Sequence, residues 1–354
     1  NSFIIPNKIL AAKYSEEIRK IFSRKDIIEI RDYSRINVFK EAAVYPIVYV
    51  LNNSSTFKHN VLMTKINEEY GIANQNIINS KTFYNDILWD KYFQDDSSVH
   101  ILIKVSTQRP LSAYSSFNIT AAATVSEAYQ IKEVLEDSNL YDDSIYCKFV
   151  NSGTIDKYRI LWGIKPMQYI KGRYESPIIK KDSISKINAV RLNQANSPKI
   201  IIASMTKEIE AFYDSGICLA AKSTTIICGE SSKLKCLTGL LNSKLLSWWY
   251  KINYNSLKMS GEALGFGSNE VGSIPICKLK DEQINIIGAL VNKIIELNAS
   301  NDIDTDIEKQ QAVKEYENQI DIMVYKLYDL TYSEVKIIDP EFPMSEEEYN
   351  NING

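Results

Sequence analysis

Long apolar runs are missing from this chain: nowhere in its 354 residues does an uninterrupted apolar stretch approach the roughly 18 residues that span a bilayer. The opening Asn-Ser-Phe-Ile-Ile-Pro lacks the basic flank and small-residue cleavage pattern of a secretory signal. A cytoplasmic protein with no membrane partner is therefore expected. Histidine is scarce, with only His59 and His100, and the five cysteines (Cys147, Cys218, Cys228, Cys236 and Cys277) include no Cys-x-x-Cys pair. A zinc site is hard to assemble from these, so no metal is expected and the thiols read as reduced and mostly buried. Gly261, Gly265, Gly267 and Gly272 do not have the spacing of Gly-x-Gly-x-x-Gly, and no Gly-Lys-Ser/Thr occurs, so this stretch reads as a flexible loop. There is no Gly-x-Ser-x-Gly elbow, and no carboxylates pair with a lysine in a nuclease arrangement. By itself the chain is expected to catalyse little.

What is present is a polarised charge distribution. Residues 1–146 carry 16 Lys and Arg against 18 Asp and Glu, residues 147–280 carry 20 against 9, and residues 281–354 carry 5 against 17. A net charge of -3 thus hides a basic centre and an acidic tail. A concentrated positive segment supplies the sequence-independent attraction for phosphates on which nucleic-acid binding rests; solvated surface lysines would give the same count. Aromatics stand among these cations, as in Tyr158, Arg159, Trp162, Tyr169, Lys171, Arg173 and Tyr174, and again in Trp248, Trp249, Tyr250, Lys251, Tyr254 and Lys258. Such rings can stack on bases while the charges hold phosphates, or they can be core residues.

Length and a hydrophobic content of 45% point to two or three folded units. Periodicity predicts a strand ending at Pro6, a helix over Asn7 to Phe22, a strand over Asp26 to Asp32 and a buried strand over Val44 to Leu51. This series reads as the end of a larger α/β sheet. Residues 53–110 read as a connecting extension with an apolar strand at Val99 to Val105. A capped helix is expected over Thr124 to Asp137, strands at Lys199 to Ala203 and Ser223 to Cys228, and a helix at Leu234 to Tyr250. Amphipathic helices at Glu282 to Leu297 and Asp304 to Leu330 follow, then a loose acidic tail over 336–354.

Several blocks carry a more specific signal. Ile4-Ile5-Pro6-Asn7, Ala12-Lys13-Tyr14, Ile18-Arg19 and Ile36 to Val44 stand near the start; Phe149 to Ile155, Pro198 to Ala203, Leu240 to Leu245 and Ser273 to Ile276 stand later. In order and spacing they resemble the end of the catalytic domain and the C-terminal specificity domain of gamma-class N6-adenine DNA methyltransferases of the Taq type, including type IIG restriction-modification enzymes. The resemblance covers residues 1–51 and 145–280, and Ile320 to Glu334 is similar to the terminal helix of such enzymes. It implies a mixed α/β fold: the tail of a Rossmann-like methyltransferase sheet (1–52), an α+β specificity domain (111–280) and C-terminal helices (281–335).

The resemblance also implies double-stranded DNA as partner and S-adenosylmethionine as cofactor of the parent enzyme. The family's Phe-x-Gly-x-Gly and Asn/Asp-Pro-Pro-Tyr/Phe motifs occur nowhere here, so no cofactor is expected on this chain and a catalytic half is expected as partner. The chain also begins without Met inside an apolar run, which reads as a fragment. Phe39 stands where the family stacks an aromatic on the adenine extruded from the duplex. The expected DNA contacts are Lys171, Arg173, Lys180, Lys181, Arg191, Thr206, Lys207, Lys222 and Lys258, with the loop Asn255 to Ser268. A separate specificity subunit serving a methylase chain, and a noncatalytic protein-interaction module, are the alternatives.

Overall fold

The computed structural model describes residues 1–39, 44–84, 86–258 and 262–352. Two compact units emerge: Asn1–Thr107 with Trp249–Ser260, and Gln108–Trp248 with Gly261–Gly354. The architecture is mixed α/β, with several sheets and interleaved helices.

The first unit is built on a five-stranded sheet of β1 (Ser2–Pro6), β2 (Asp26–Asp32), β3 (Pro46–Asn52), β4 (Val61–Ile66) and β5 (Ile72–Ile78), in the order β1-β3-β2-β4-β5. β3 lies antiparallel between β1 and β2, β2 and β4 are parallel, and β5 returns antiparallel. Pro46 is tolerated because it is the first residue of its strand. One face buries Ile27, Ile30, Ile47 and Met63 under Leu10, Trp89, Tyr92 and Phe93. Asp26, fully buried, ties the sheet to the loop after β3. Burial pushes its carboxyl up, but bonds from His59 Nδ1 (2.9 Å), Asn52 and two backbone N–H groups outweigh that and hold it at about 2.

Several expectations change here. Asn7 to Phe22 is not one helix but two 3-10 turns, Asn7–Leu10 and Lys13–Ser15, followed by an α-helix over Glu16–Ser23. Buried Arg19 donates to the carbonyls of Ile9 (2.7 Å) and Ala12 (2.8 Å), which holds the turns open. Val99 to Val105 is helical, within Asp96–Ser106, because Asp95 caps its N-terminus by accepting from Ser98 N–H (2.9 Å). Residues 53–110 also do more than connect, since β4 and β5 complete the first sheet.

The second unit holds two four-stranded sheets. One orders Cys218–Ala220, Tyr146–Val150, Pro177–Lys180 and Glu136–Asp137; the other orders Ala211–Asp214, Lys199–Ala203, Thr224–Gly229 and Phe117–Ala121. β-branched Ile200, Ile201 and Ile202 are wholly buried, as a central strand covered on both faces requires. The helix Val125–Val134 starts with the expected capping box, Thr124 and Glu127 exchanging bonds of 3.2 and 2.7 Å.

Leu234 to Tyr250 forms two helices, Ser231–Asn242 and Lys244–Asn253, broken at an extended Ser243. The break follows from Asn242, whose amide both donates to and accepts from the Ala211 backbone (2.9 Å each), and from Asp321, which accepts Lys244 N–H (2.8 Å). The acidic tail is not loose. Phe342 and Tyr349 are buried, their rings 5.7 Å apart, and Tyr349 donates to the Leu330 carbonyl (2.8 Å).

The five cysteines are unpaired, four of them buried. Burial raises the Cys147 and Cys277 thiols to about 11 and that of Cys236 to about 12. No helix among the described residues is long and apolar enough to cross a membrane, and no group of His, Cys, Asp and Glu among them could hold a metal ion.

Three carboxyls are held at about 7 chiefly by burial: Asp90 in the first unit, Glu210 and Asp321 in the second. Each binds its proton more tightly folded than unfolded. Their contribution is therefore greatest below about pH 4 and fades as pH rises toward 7. Stability should accordingly fall between about pH 4 and 7, and Asp90→Asn should flatten that slope; urea midpoints across the range check it. An Asp90→Asn slope equal to that of the parent chain would contradict the assignment.

Candidate nucleic-acid interface

Strand polarity decides which expected contact residues meet. Tyr146–Val150 runs parallel to Cys218–Ala220, and Lys199–Ala203 pairs antiparallel with Thr224–Gly229 and Ala211–Asp214. The loops 151–154, 204–210 and 221–223 therefore leave at one end of the two sheets. They are locked together by serines. Ser152 Oγ accepts Ser204 N–H (2.9 Å) and donates to the Ser223 carbonyl, which also receives Ser204 N–H (3.2 Å). Phe266 joins them, donating its N–H to the Ser204 carbonyl (3.0 Å) and accepting at its own from Thr225 Oγ1 (2.7 Å). Met205 and Thr206 pair with Gly265 and Leu264.

On this frame Lys207 and Lys222 stand exposed, with no carboxylate in ion-pair distance among the described residues. Thr206 is half-buried and its hydroxyl donates to the Glu208 carbonyl, so it holds the turn that presents Lys207.

The other expected contacts are elsewhere. Lys180 pairs with Tyr146 at the start of its strand, four residues and so about 13 Å from Val150. There it faces Glu136 (3.4 Å), while Lys181 donates to the Asp143 carbonyl (2.6 Å). Arg173 meets Glu175 (3.3 Å). Lys171 is exposed at a hairpin turn with a φ of 61°. Arg191 is committed to the fold: it contacts both oxygens of Glu127 at 3.1–3.2 Å and donates to the Ala121 carbonyl (3.3 Å). Burial raises the Glu127 carboxyl, but bonds from Thr124, Arg191 and Asn188 hold it at about 2.

Lys258 belongs to the first unit, where its carbonyl accepts from Lys8 Nζ (3.3 Å). Phe39, also in the first unit, is 42% exposed on the loop after β2. The neighbouring Lys40 to Ala43 of that motif, and Met259 to Gly261 of the expected Asn255 to Ser268 loop, lie outside the described residues.

Most of the interleaved aromatics are core. Tyr158, Tyr169, Tyr174, Trp249, Tyr250 and Tyr254 are all buried, and half-buried Trp162 lies under Lys148 (4.7 Å). They offer no stacking platform. The serine lock escaped the sequence reading because Ser152, Ser204 and Ser223 are far apart in the chain and carry no local signal.

The sheet ends and loops just described fall inside a segment, residues 148–276, that matches the family described as TaqI-like C-terminal specificity domain. The matched segment holds Lys207, Lys222 and the serine lock, and also Arg173, on the hairpin of Met167–Tyr169 and Gly172–Tyr174, and Lys180, at the opposite end of the sheet that contains Tyr146–Val150.

Solved structures similar to the whole chain include the type IIL restriction-modification enzyme MmeI in complex with DNA: 12% identity, TM-score 0.49, covering 99% of this chain and 50% of that one. Others are the type IIG restriction endonuclease BpuSI (10%, 0.38, 93% and 47%) and a nuclease-deletion mutant of the type ISP enzyme LlaGI in complex with a DNA substrate mimic (11%, 0.35, 84% and 29%). The chain spans half or less of each, and the likenesses are too low to fix the fold. No curated protein matches the chain.

Proposed function

We propose that this chain recognises a double-stranded DNA sequence as the specificity-bearing part of an N6-adenine methyltransferase or a restriction-modification enzyme. The observation that carries the reading is the specificity-domain match over residues whose loops lock into one frame and present Lys207 and Lys222 unpaired. Cations held on a rigid frame fix register on phosphates, and neighbouring polar groups then reach base edges. Phe39, on an exposed loop of the first unit, is the residue suited to stack on an extruded adenine.

The S-adenosylmethionine and Asn-Pro-Pro-Tyr motifs do not occur in these residues. Methyl transfer therefore calls for a catalytic half, which would supply the cofactor and act with this chain in the cytoplasm. The first unit offers a surface for it. β1 pairs only with β3 among the described residues, and its Phe3 and Ile4 are exposed. An unpaired strand edge with apolar side chains is a template for pairing with another segment.

The reading is tested by the affinity of the chain for a random-sequence duplex across a salt series. The logarithm of affinity should fall linearly with the logarithm of salt concentration. Absence of binding at low salt would sink the proposal and favour a protein-interaction module.

Arg191 provides an internal control. Arg191→Ala strands Glu127 and should cost about 1–3 kcal/mol of stability while leaving the salt dependence unchanged. A changed salt dependence with unchanged stability would return Arg191 to the DNA-contacting set.

A further inference from the structure

β1, β2 and β4 run in the same direction, so their carboxyl ends share one edge of the first sheet. In open α/β sheets ligands gather outside that edge. Four cations converge there from segments far apart in sequence: Lys8 just beyond β1, Arg35 just beyond β2, Lys65 at the end of β4, and Lys258 from the returning segment 249–260. Asp32 and Asp90 lie among them. Both attract Lys65, but neither stands in ion-pair distance of it among the described residues. Asp32 accepts Ser34 N–H (2.8 Å), and buried Asp90 accepts both the N–H (2.8 Å) and the hydroxyl (2.6 Å) of Ser256.

Two of the cations are unmatched. Lys65 is half-buried on the strand face that also carries Val61 and Met63, yet its ammonium has no hydrogen-bond or ion-pair partner among the described residues and is not sealed from solvent. Arg35 is exposed and likewise unpaired. Burial, with Arg35 adding repulsion, lowers the pKa of Lys65 from its usual value. A half-buried, unpaired ammonium beside a second cation is costly unless an anion completes the site. The loop that carries Phe39 leaves from this same edge, directly after Arg35.

We infer that Arg35 and Lys65, at the carboxyl edge of the first sheet, form a subsite for a phosphodiester of the DNA strand whose base is extruded toward Phe39. This rests on the DNA-binding reading above and adds a contact outside the specificity domain. A phosphate there would be gripped by the guanidinium of Arg35 and the ammonium of Lys65 as charge-assisted contacts. It would fix the backbone at the extruded nucleotide, while the specificity loops hold the duplex elsewhere.

The test is the salt series with a random-sequence duplex, run on the chain, on Arg35→Gln/Lys65→Gln and on Lys207→Gln/Lys222→Gln. Losing two phosphate contacts should make the slope of log affinity against log salt shallower by about 1.8. The charge-conserving Lys65→Arg should keep the parent slope. If only the Lys207/Lys222 pair alters the slope, the subsite is wrong and the DNA reading stands; if neither pair alters it, the subsite and the Lys207/Lys222 interface both fall, and absence of duplex binding by the parent chain sinks the DNA reading itself. Should Lys65→Gln unfold the chain, the exposed Arg35→Gln alone carries the test, with an expected change of about 0.9 and no change contradicting the subsite.

Discussion

Asp214→Ala should lower the stability of the chain by ~3–5 kcal/mol, the largest effect of any single substitution considered for it. Lys199 and Asp214 are directly opposite on paired strands, their side chains 1% and 0% exposed and joined as an ion pair. The surroundings complete the pair. Lys199 Nζ also donates to the carbonyls of Ala195 (3.1 Å) and Ser197 (3.4 Å), and Asp214 accepts N–H groups from Ile217 (3.1 Å) and Cys218 (3.2 Å). Removing the carboxylate leaves a charged ammonium in the interior and two backbone donors unmatched. The same physics predicts an asymmetry: replacing both residues, as Lys199→Met/Asp214→Leu, should cost much less than Asp214→Ala, because no uncompensated charge remains. Urea midpoints at constant m decide it. A loss below about 1 kcal/mol for Asp214→Ala would show that water reaches the site and screens it.

The second large effect is on DNA. Lys207→Gln/Lys222→Gln should weaken duplex binding at every sequence and flatten the salt slope by about 1.8, with little change in stability, since both side chains are exposed and unpaired. The contrast with Arg191 is the informative part. All three lie in the matched segment 148–276, yet Glu127 has already claimed the guanidinium of Arg191. A salt slope unaffected by the Lys207/Lys222 change would move the interface off the serine-locked loops. Arg173 and Lys180, in the second unit, would be the next place to look, although carboxylates already face both.

What the sequence could and could not disclose follows from the range of the interactions involved. Asp26–Asp32 and Lys199–Ala203 were legible as strands because their β-branched and apolar side chains set a local pattern. Val99 to Val105 was misread because a short apolar run fits a strand or a buried helix equally well; the deciding signal was the cap at Asp95, just ahead of it. The break at Ser243 depends on Asn242 meeting Ala211, 31 residues away.

The packed tail was hidden by its charge. Phe342 and Tyr349 sit among many carboxylates, and two buried rings outweigh a count of acidic residues. The same limit shaped the site. A basic excess over 147–280 was visible, but a charge count cannot tell a cation held by a distant carboxylate, such as Arg191 with Glu127, from one left open, such as Lys207. Nor could it bring Arg35 and Lys65 to one sheet edge, which takes the parallel pairing of β2 and β4.

The most direct test of the central claim is a binding selection: incubate the chain with a random duplex library at moderate salt, recover the bound fraction and sequence it. The account predicts enrichment of a short motif containing a fixed adenine, with less duplex recovered but the same motif enriched for Lys207→Gln/Lys222→Gln. Recovery of no duplex, or of duplex without any enriched motif, would contradict the claim that this chain carries the target specificity.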